Sequence, residues 1–298
     1  MSNKKWVRRS LRQLSRELAE QGYPVSRMTV RRLLGKQGYA LKASRKECTG
    51  PSHPDRDRQF RYIGRVKQCF LAAGCPVISV DTKKKELIGN FKNAGRIWCQ
   101  QPEKVNVHDF RQDALGRAVP YGIYDLVHNL GYMVVGTSAD TAAFAVDAIT
   151  MWWEDEDRPS FANENSLLIL CDAGGSNGYR LRLWKYQLQE QLADRLGLDV
   201  MVCHYPTGTS KWNPIEHRLF SYISLNWAGK PLRTFEAMLT YIRSTRTETG
   251  LTVKADLVDR EYETGLKVST KEMATLNLVP RRVCPSWNYT IKPRGGSS

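Results

Sequence analysis

Residues 166–171 read SLLILC, six uncharged residues followed at once by Asp172 and the glycines of DAGGSN. A run of this length with no polar alternation is a strand buried on both of its faces. Two further apolar runs, around Val77–Val80 and over LDVMVCHYP (198–206), have the same character, and the first ends on Asp81. Strands of this kind belong in the middle of a sheet covered by helices on each side.

The intervening segments supply those helices. RQFRYIGRVKQCFLAAG (58–74) ends at Gly74; Asp140 or Thr141 caps a helix whose Phe144, Ala148, Ile149 and Trp152 share a face. Leu181, Trp184, Leu188, Leu192 and Leu196 form one stripe that stops at Gly197, a helix-ending residue. After the 198–206 strand, Asn213 is placed to cap and Pro214 to occupy the first helical position, with Ile215, Leu219 and Tyr222 turned inward. GRAVPYGIYDLV and GYMVVGTSA read as hairpin-like strands, and the tail carries a strand, a helix begun by the capping box Ser269–Glu272, and WNYTIKP. Strands alternating with helices and hairpins predict an α/β fold with a mixed sheet.

The charge is uneven. The formal net charge is +15, and residues 1–67 hold 18 Lys/Arg against 5 Asp/Glu, which is +13 of it. A basic end on a nearly balanced body points to a polyanion, nucleic acid first. Residues 10–39 read as two short helices. Leu11, Leu14 and Leu18 form one face, Gly22-Tyr23-Pro24 an interruption, and Ser26 a cap for a second helix with Val30, Leu33 and Leu34 inward. That leaves Arg27, Thr29, Arg31 and Arg32 outward, where a helix-turn-helix presents its DNA contacts. KECTGPSHPDRDRQF (46–60) is polar with two prolines and reads as a linker. The predicted organisation is therefore a helix-turn-helix segment over 1–45, a linker over 46–57 and an α/β domain over 58–293.

The seven cysteines include no C-x-x-C pair, which argues against a zinc site or a disulfide framework. No apolar run approaches the ~18–20 residues of a membrane span, and the start has no apolar signal stretch. A cytoplasmic protein is expected.

Asp81 and Asp172 each end an apolar strand, where side chains emerge into the crevice of an α/β sheet. Glu216 follows a third strand at a helix start, whose positive end favours an ionised carboxylate. Three adjacent carboxylates repel unless a cation neutralises them, and hard oxygen donors select Mg²⁺, with Mn²⁺ as its substitute. Two such ions activate an attacking oxygen and stabilise a leaving one in phosphodiester chemistry. Lys83, Lys84 and Lys85 of DTKKKE and Lys211 are placed to meet phosphates, and Trp212 either to stack on a base or to anchor its loop as a buried side chain. A zinc role for His204 or His217 has no Cys/His cluster to support it.

The words SVDTKKKELIGNFKNAGR, VPYGIYDL, DAGGSNGYRLRLWK, CHYPTGTSKWNPIEHRLFSYISLNW and GLTVKADL…YETGLKVS together resemble the ISAzo13-family transposases of bacterial insertion sequences. The similarity runs from about residue 58 to WNYTIKP. It implies an RNase H-like core with a two-metal site in which Asp81, Asp172 and Glu216 are the three motif acids. It also implies double-stranded DNA partners (element ends and target), a homo-oligomer on DNA, and a place on the bacterial nucleoid. The reaction implied is hydrolysis at element ends followed by transfer of the 3′-hydroxyl. The rival readings are an RNase H-like nuclease that never joins strands and a helix-turn-helix regulator with an idle body. Relatives carry more DNA-binding sequence upstream, so an internal start or truncation is expected. Ala94 and Ala173 stand where relatives have proline and serine, and neither is a ligand.

Overall fold

The structure, a computed structural model, describes residues 9–40, 53–107 and 111–295. The chain divides into two compact units between residues 51 and 52, within the segment read as a linker.

In the first unit, α1 (Leu11–Glu20) opens on a capping box in which Ser10 Oγ accepts from Gln13 N–H and Gln13 Oε1 accepts from Ser10 N–H. Gly22, at φ 87°, turns the chain, and Ser15 Oγ donates to Val25 O at 2.6 Å across the turn. Ser26 caps α2 (Arg27–Lys36), as expected, by accepting from Thr29 N–H at 3.2 Å. Val30 is buried, but Leu33 is 43% exposed. Two helices alone leave one side of their shared apolar groove open.

The second unit begins with α3 (Arg56–Ala72), followed by β1 (Val77–Thr82), β2 (Glu86–Ile88), β3 (Gly116–Asp125), β4 (Leu130–Gly136), α4 (Ala142–Glu154) and β5 (Ser166–Cys171). Then come α5 (Arg182–Gln187), which continues over Leu188–Asp194 in wider turns, and β6 (Asp199–His204). A wide-turned stretch, Glu216–Phe220, leads into α6 (Ser221–Asn226) and α7 (Phe235–Arg243). β7 (Thr252–Val258), α8 (Thr270–Ala274), β8 (Leu278–Pro280) and β9 (Asn288–Ile291) complete it. Both reciprocal bonds of the Ser269–Glu272 capping box form at the start of α8. Among the described residues no helix is long and apolar enough to cross a membrane.

The strands form one mixed sheet in the order β7-β4-β3-β1-β5-β6-β9-β8, with β2 added on β3. β3 runs antiparallel to both β1 and β4, while β1, β5 and β6 are parallel. With β2 set aside, the central strands stand in the order third, second, first, fourth, fifth, with the second reversed. This is the arrangement of an RNase H-like core, as the resemblance implied. Pro120, which has no N–H to give, lies where the neighbour of β3 changes from β1 (ending at Tyr121) to β2 (beginning at Ala118).

Alternation along the strands sends side chains to two covered faces. On one, Ile78 and Val80 of β1 and Leu167 and Ile169 of β5 pack with Phe144, Ile149 and Trp152 of α4 and with Trp184, Leu188 and Leu192. On the other, α3 covers Val77, Leu168 and Leu170, while Ile215, Leu219, Phe220 and Ile223 cover β3 and β4. α3 is tied down by Gln59, whose amide donates to His204 O and Asn288 Oδ1, both at 2.8 Å, and accepts from Asn288 Nδ2 at 2.6 Å.

The helix after β6 departs from its predicted phase. Tyr222 is 36% exposed and Ile223 is fully buried, because the wide turn at Glu216–Phe220 holds an extra residue and shifts the inward stripe by one. This helix lies against glycine: a Cβ on Gly122 would come within 2.5 Å of Phe220 Cε1 and 2.9 Å of Ile215 Cδ1. Gly122 pairs with Asp81 across the β1–β3 ladder. Gly122→Ala is therefore expected to lower stability by about 1–3 kcal/mol through overpacking, read as a lower urea midpoint at unchanged slope.

Candidate active site

Side-chain parity and strand register bring the first two acids together. Ser79 and Asp81 share the face of β1 on which Val77 meets α3, and Asp172 follows Leu168 and Leu170 on the same face of β5. Val80 is in register with Cys171, the last pair of the ladder, so the next residues, Asp81 and Asp172, emerge from neighbouring strands at the same end of the sheet, close enough for the charge of Asp172 to act on Asp81. β6 ends at His204, and the chain returns over this face through residues 205–215 to Glu216.

The electrostatics follow from that crowding. Asp81 is pushed up to about 8, first by burial, then by the charge of Asp172, with smaller contributions from Glu216 and Asp140; the Thr82 N–H, 2.7 Å from Asp81 Oδ1, opposes this. Asp172 is pushed up to about 6 by burial and by Glu216, with the side chains of Ser210 and Asn213 opposing. Asp172 Oδ1 is buried and has no hydrogen-bond partner. Such a group is costly unless something positive meets it.

The donor set is that of a hard divalent cation: carboxylate oxygens, one of them orphaned, with no soft ligand among them. As the side chains stand, no group of three or more His, Cys, Asp or Glu among the described residues is drawn tightly enough to hold a metal ion. Bare carboxylates feel one another's charge over several ångströms and do not close on each other without a counter-charge. The residues therefore fit the cation in kind and in neighbourhood.

Three polar residues around the acids were not anticipated as parts of the site. Thr82 Oγ1 donates to Asp140 Oδ1 at 3.0 Å and lies 3.1 Å from Ser176 Oγ. Asp140 is one of the two caps that the sequence offers for α4. The one used is Thr141, which accepts from Phe144 N–H, and Asp140 instead adds a fourth acid beside Asp81. Its position directly before the helix is the one signal that pointed to it.

His204 has no metal-like environment. Its ring is fully buried and its pKa is lowered to about 4 by desolvation. Trp184 Nε1–H donates to Tyr289 Oη at 3.0 Å, and Tyr289 O–H donates to His204 Nε2 at 3.0 Å. That leaves Nδ1–H to donate to the carbonyl of Asp172, also at 3.0 Å. The partners set the tautomer, and the chain of bonds pins the end of β5.

The predicted DNA contacts fall into two groups. Lys84 and Lys211 are exposed and, with Lys83, Ser210, Glu216 and His217, line a cleft of about 480 Å³. Lys83 itself is turned inward at 8% exposure, its Nζ 4.6 Å from the Trp227 ring centre and 3.9 Å from Glu86. Lys85 pairs with Asp140 at 3.3 Å. Trp212 is 53% exposed, its ring edge-on to Phe60 at 5.9 Å. His217 Nε2 bonds the carbonyl of Lys211, closing the loop before Glu216 on itself. In the other unit, Arg27, Arg31 and Arg32 are exposed on α2 and Thr29 is half-buried.

A family model described as the Rhodopirellula transposase DDE domain matches residues 1–293. Among solved structures, the chain is similar to "Mos1 transposase paired-end complex with left transposon end" at 15% identity and a TM-score of 0.45, covering 81% of this chain and 72% of that one. It is similar to "Crystal structure of the Mos1 Strand Transfer Complex" at 15% identity and a TM-score of 0.47, covering 81% and 71%. "Crystal structure of the mariner Mos1 paired end complex with Mg" matches at 15% identity and a TM-score of 0.47, covering 81% and 72%. No curated protein matches in sequence.

The buried imidazole gives a pH dependence with a definite sign. Its pKa is near 6.5 unfolded and about 4 folded, so below 6.5 the unfolded chain binds the proton that the folded one refuses. Stability from this residue is complete above pH 6.5 and declines as pH falls towards 4. Asp81 and Asp172 act in the opposite sense, so the comparison is with His204→Asn. Urea melts at pH 7 and pH 4 are expected to show the parent losing on the order of 3 kcal/mol more than the variant.

Proposed function

Because the chain belongs to the transposase DDE-domain family, we propose that Asp81, Asp172 and Glu216 are its catalytic, metal-binding carboxylates. The observation that carries this reading is the pair of desolvated acids at adjacent strand ends, with Asp172 Oδ1 left without a partner. Asp81, which feels both other acids, would serve both of two Mg²⁺ ions, and Asp172 and Glu216 would hold one each. When bound, the ions supply activation of the attacking oxygen and stabilisation of the leaving one, and Mn²⁺ substitutes.

The substrate is double-stranded DNA at the ends of an insertion sequence. In the first step a water oxygen bonds to phosphorus, the bond from phosphorus to the 3′ oxygen breaks, and that oxygen takes a proton. In the second step the freed 3′-hydroxyl attacks a phosphate of target DNA, and the displaced 3′ oxygen takes its proton. Lys84 and Lys211 meet the phosphates flanking the reacting one, and Trp212 offers a ring to an unstacked base. Lys83 is buried against Trp227 and Glu86, and Lys85 is exposed but paired with Asp140, so both contribute to the field of the cleft. Residues 1–45 recognise the element end through Arg27, Thr29, Arg31 and Arg32, residues 46–57 connect, and residues 58–293 carry the chemistry. The protein works as a homo-oligomer on nucleoid DNA in the bacterial cytoplasm.

Asp81→Ala, Asp172→Ala and Glu216→Ala are each expected to reduce Mg²⁺-dependent cleavage of element-end DNA to background while duplex binding persists in a gel-shift assay. Cleavage at parental rate by any of them rules out that residue's role. Pre-cleaved ends joined to target DNA separate a transposase from a nuclease, and cleavage itself excludes an idle regulator. Replacing Arg27, Arg31 and Arg32 together with Gln is expected to lower the slope of log affinity against log salt by about 2–3. An unchanged slope would move the DNA contacts off α2.

A further inference from the structure

Asn213 connects the elements that carry the acids. It is fully buried, and its Nδ2 donates to the carbonyl of Val80, the residue before Asp81, at 3.2 Å. Its Oδ1 accepts from Ser79 Oγ at 2.5 Å. Ser79, also fully buried, accepts the N–H of Ile215 at 3.1 Å. The main-chain carbonyl of Asn213 accepts the N–H of Glu216 at 3.1 Å. Its side chain also lies beside the carboxylate of Asp172 and favours that group's charged form.

An asparagine before a proline at a helix start ordinarily caps the helix with its side chain. Here it does not: the N–H of Ile215 goes to Ser79 Oγ and that of Glu216 to the main-chain carbonyl of Asn213, while the Asn213 amide bonds Ser79 and Val80. The amide is turned into the sheet instead. Among the described residues no main-chain hydrogen bond joins 210–216 to β1, so this pair of side chains makes the polar link between strand and helix. A capping role leaves the glutamate free to shift relative to the strand; the observed role fixes it.

Resting on the assignment of the three acids above, we infer that Asn213 and Ser79 are positioning residues for the reaction, holding Glu216 at a set place relative to Asp81 and thereby setting the affinity of the acids for their cations. The amide and hydroxyl are fully buried and act through the carboxylates they position. Groups that orient ligands in this way change metal affinity by about 10–100-fold when removed.

The test is Mn²⁺ binding to the full chain without DNA, followed by electron paramagnetic resonance and calorimetry. Each variant is first checked for folding by urea melts in chelator. Ser79→Ala and Asn213→Ser are expected to weaken Mn²⁺ binding about tenfold or more. Ile149→Val, which loosens the core under α4 away from this loop, tests for a general loss of stability and is expected to bind within about twofold of the parent. If Asn213→Ser does not fold, Ser79→Ala decides. Parental affinity in a folded Ser79→Ala, or an equal loss in Ile149→Val, overturns the inference. Asp81→Ala separates the two levels. If it too binds Mn²⁺ as the parent does, the assignment of the acids fails; if it loses binding while Ser79→Ala keeps it, only the positioning role fails.

Discussion

Two carboxylates on neighbouring parallel strands, both partly buried, form the constraint around which the rest of the second unit is arranged. Desolvation and repulsion act together on Asp81 and Asp172, and each raises the free energy of the charged state. The scaffold tolerates this because the strands that end in the acids are pinned on both faces. One face is held by α4 and α5, the other by α3. Strand ends so held cannot relax by moving apart. The strain is instead available to a ligand, since a divalent cation gains what the bare acids lack.

The same logic explains the polar residues beneath the site. His204, Tyr289 and Trp184 make a closed series of hydrogen bonds that ends on the backbone of Asp172. Gln59 and Asn288 satisfy one another and the carbonyl of His204. Buried polar groups of this kind are favourable only when every member is partnered. Among the described residues the exceptions are Tyr121 Oη, Arg281 Nε and, at the end of β5, Asp172 Oδ1.

Much of this was legible in the chain because it rests on short-range signals. Unbroken apolar runs marked β1, β5 and β6, and an acid directly after a run marks a strand end. The caps at Ser26, Thr141 and Ser269 follow from residue type and spacing. What was not legible depends on contacts over long separations. Nothing near Lys83 shows that it folds back onto Trp227, 144 residues away, and so leaves the surface. Nothing near Asn213 shows that its partner is Ser79 rather than its own helix. Tyr222 was assigned inward on a regular 3.6-residue period, which the wide turn at Glu216 breaks.

That wide turn has a consequence for how such a chain can drift. A turn containing one surplus residue differs from a regular helix by a single codon, and removing that residue rotates everything on one side of it by about 100°. Ile215 and Glu216 lie on one side of the surplus and Ile223 on the other, so a one-residue deletion cannot keep both the acid and the packing in place. Loops elsewhere tolerate changes in length far more readily. In this stretch the reading frame of the helix is part of the candidate site's geometry, and descendants that lose it are expected to lose the glutamate's aim before they lose the fold.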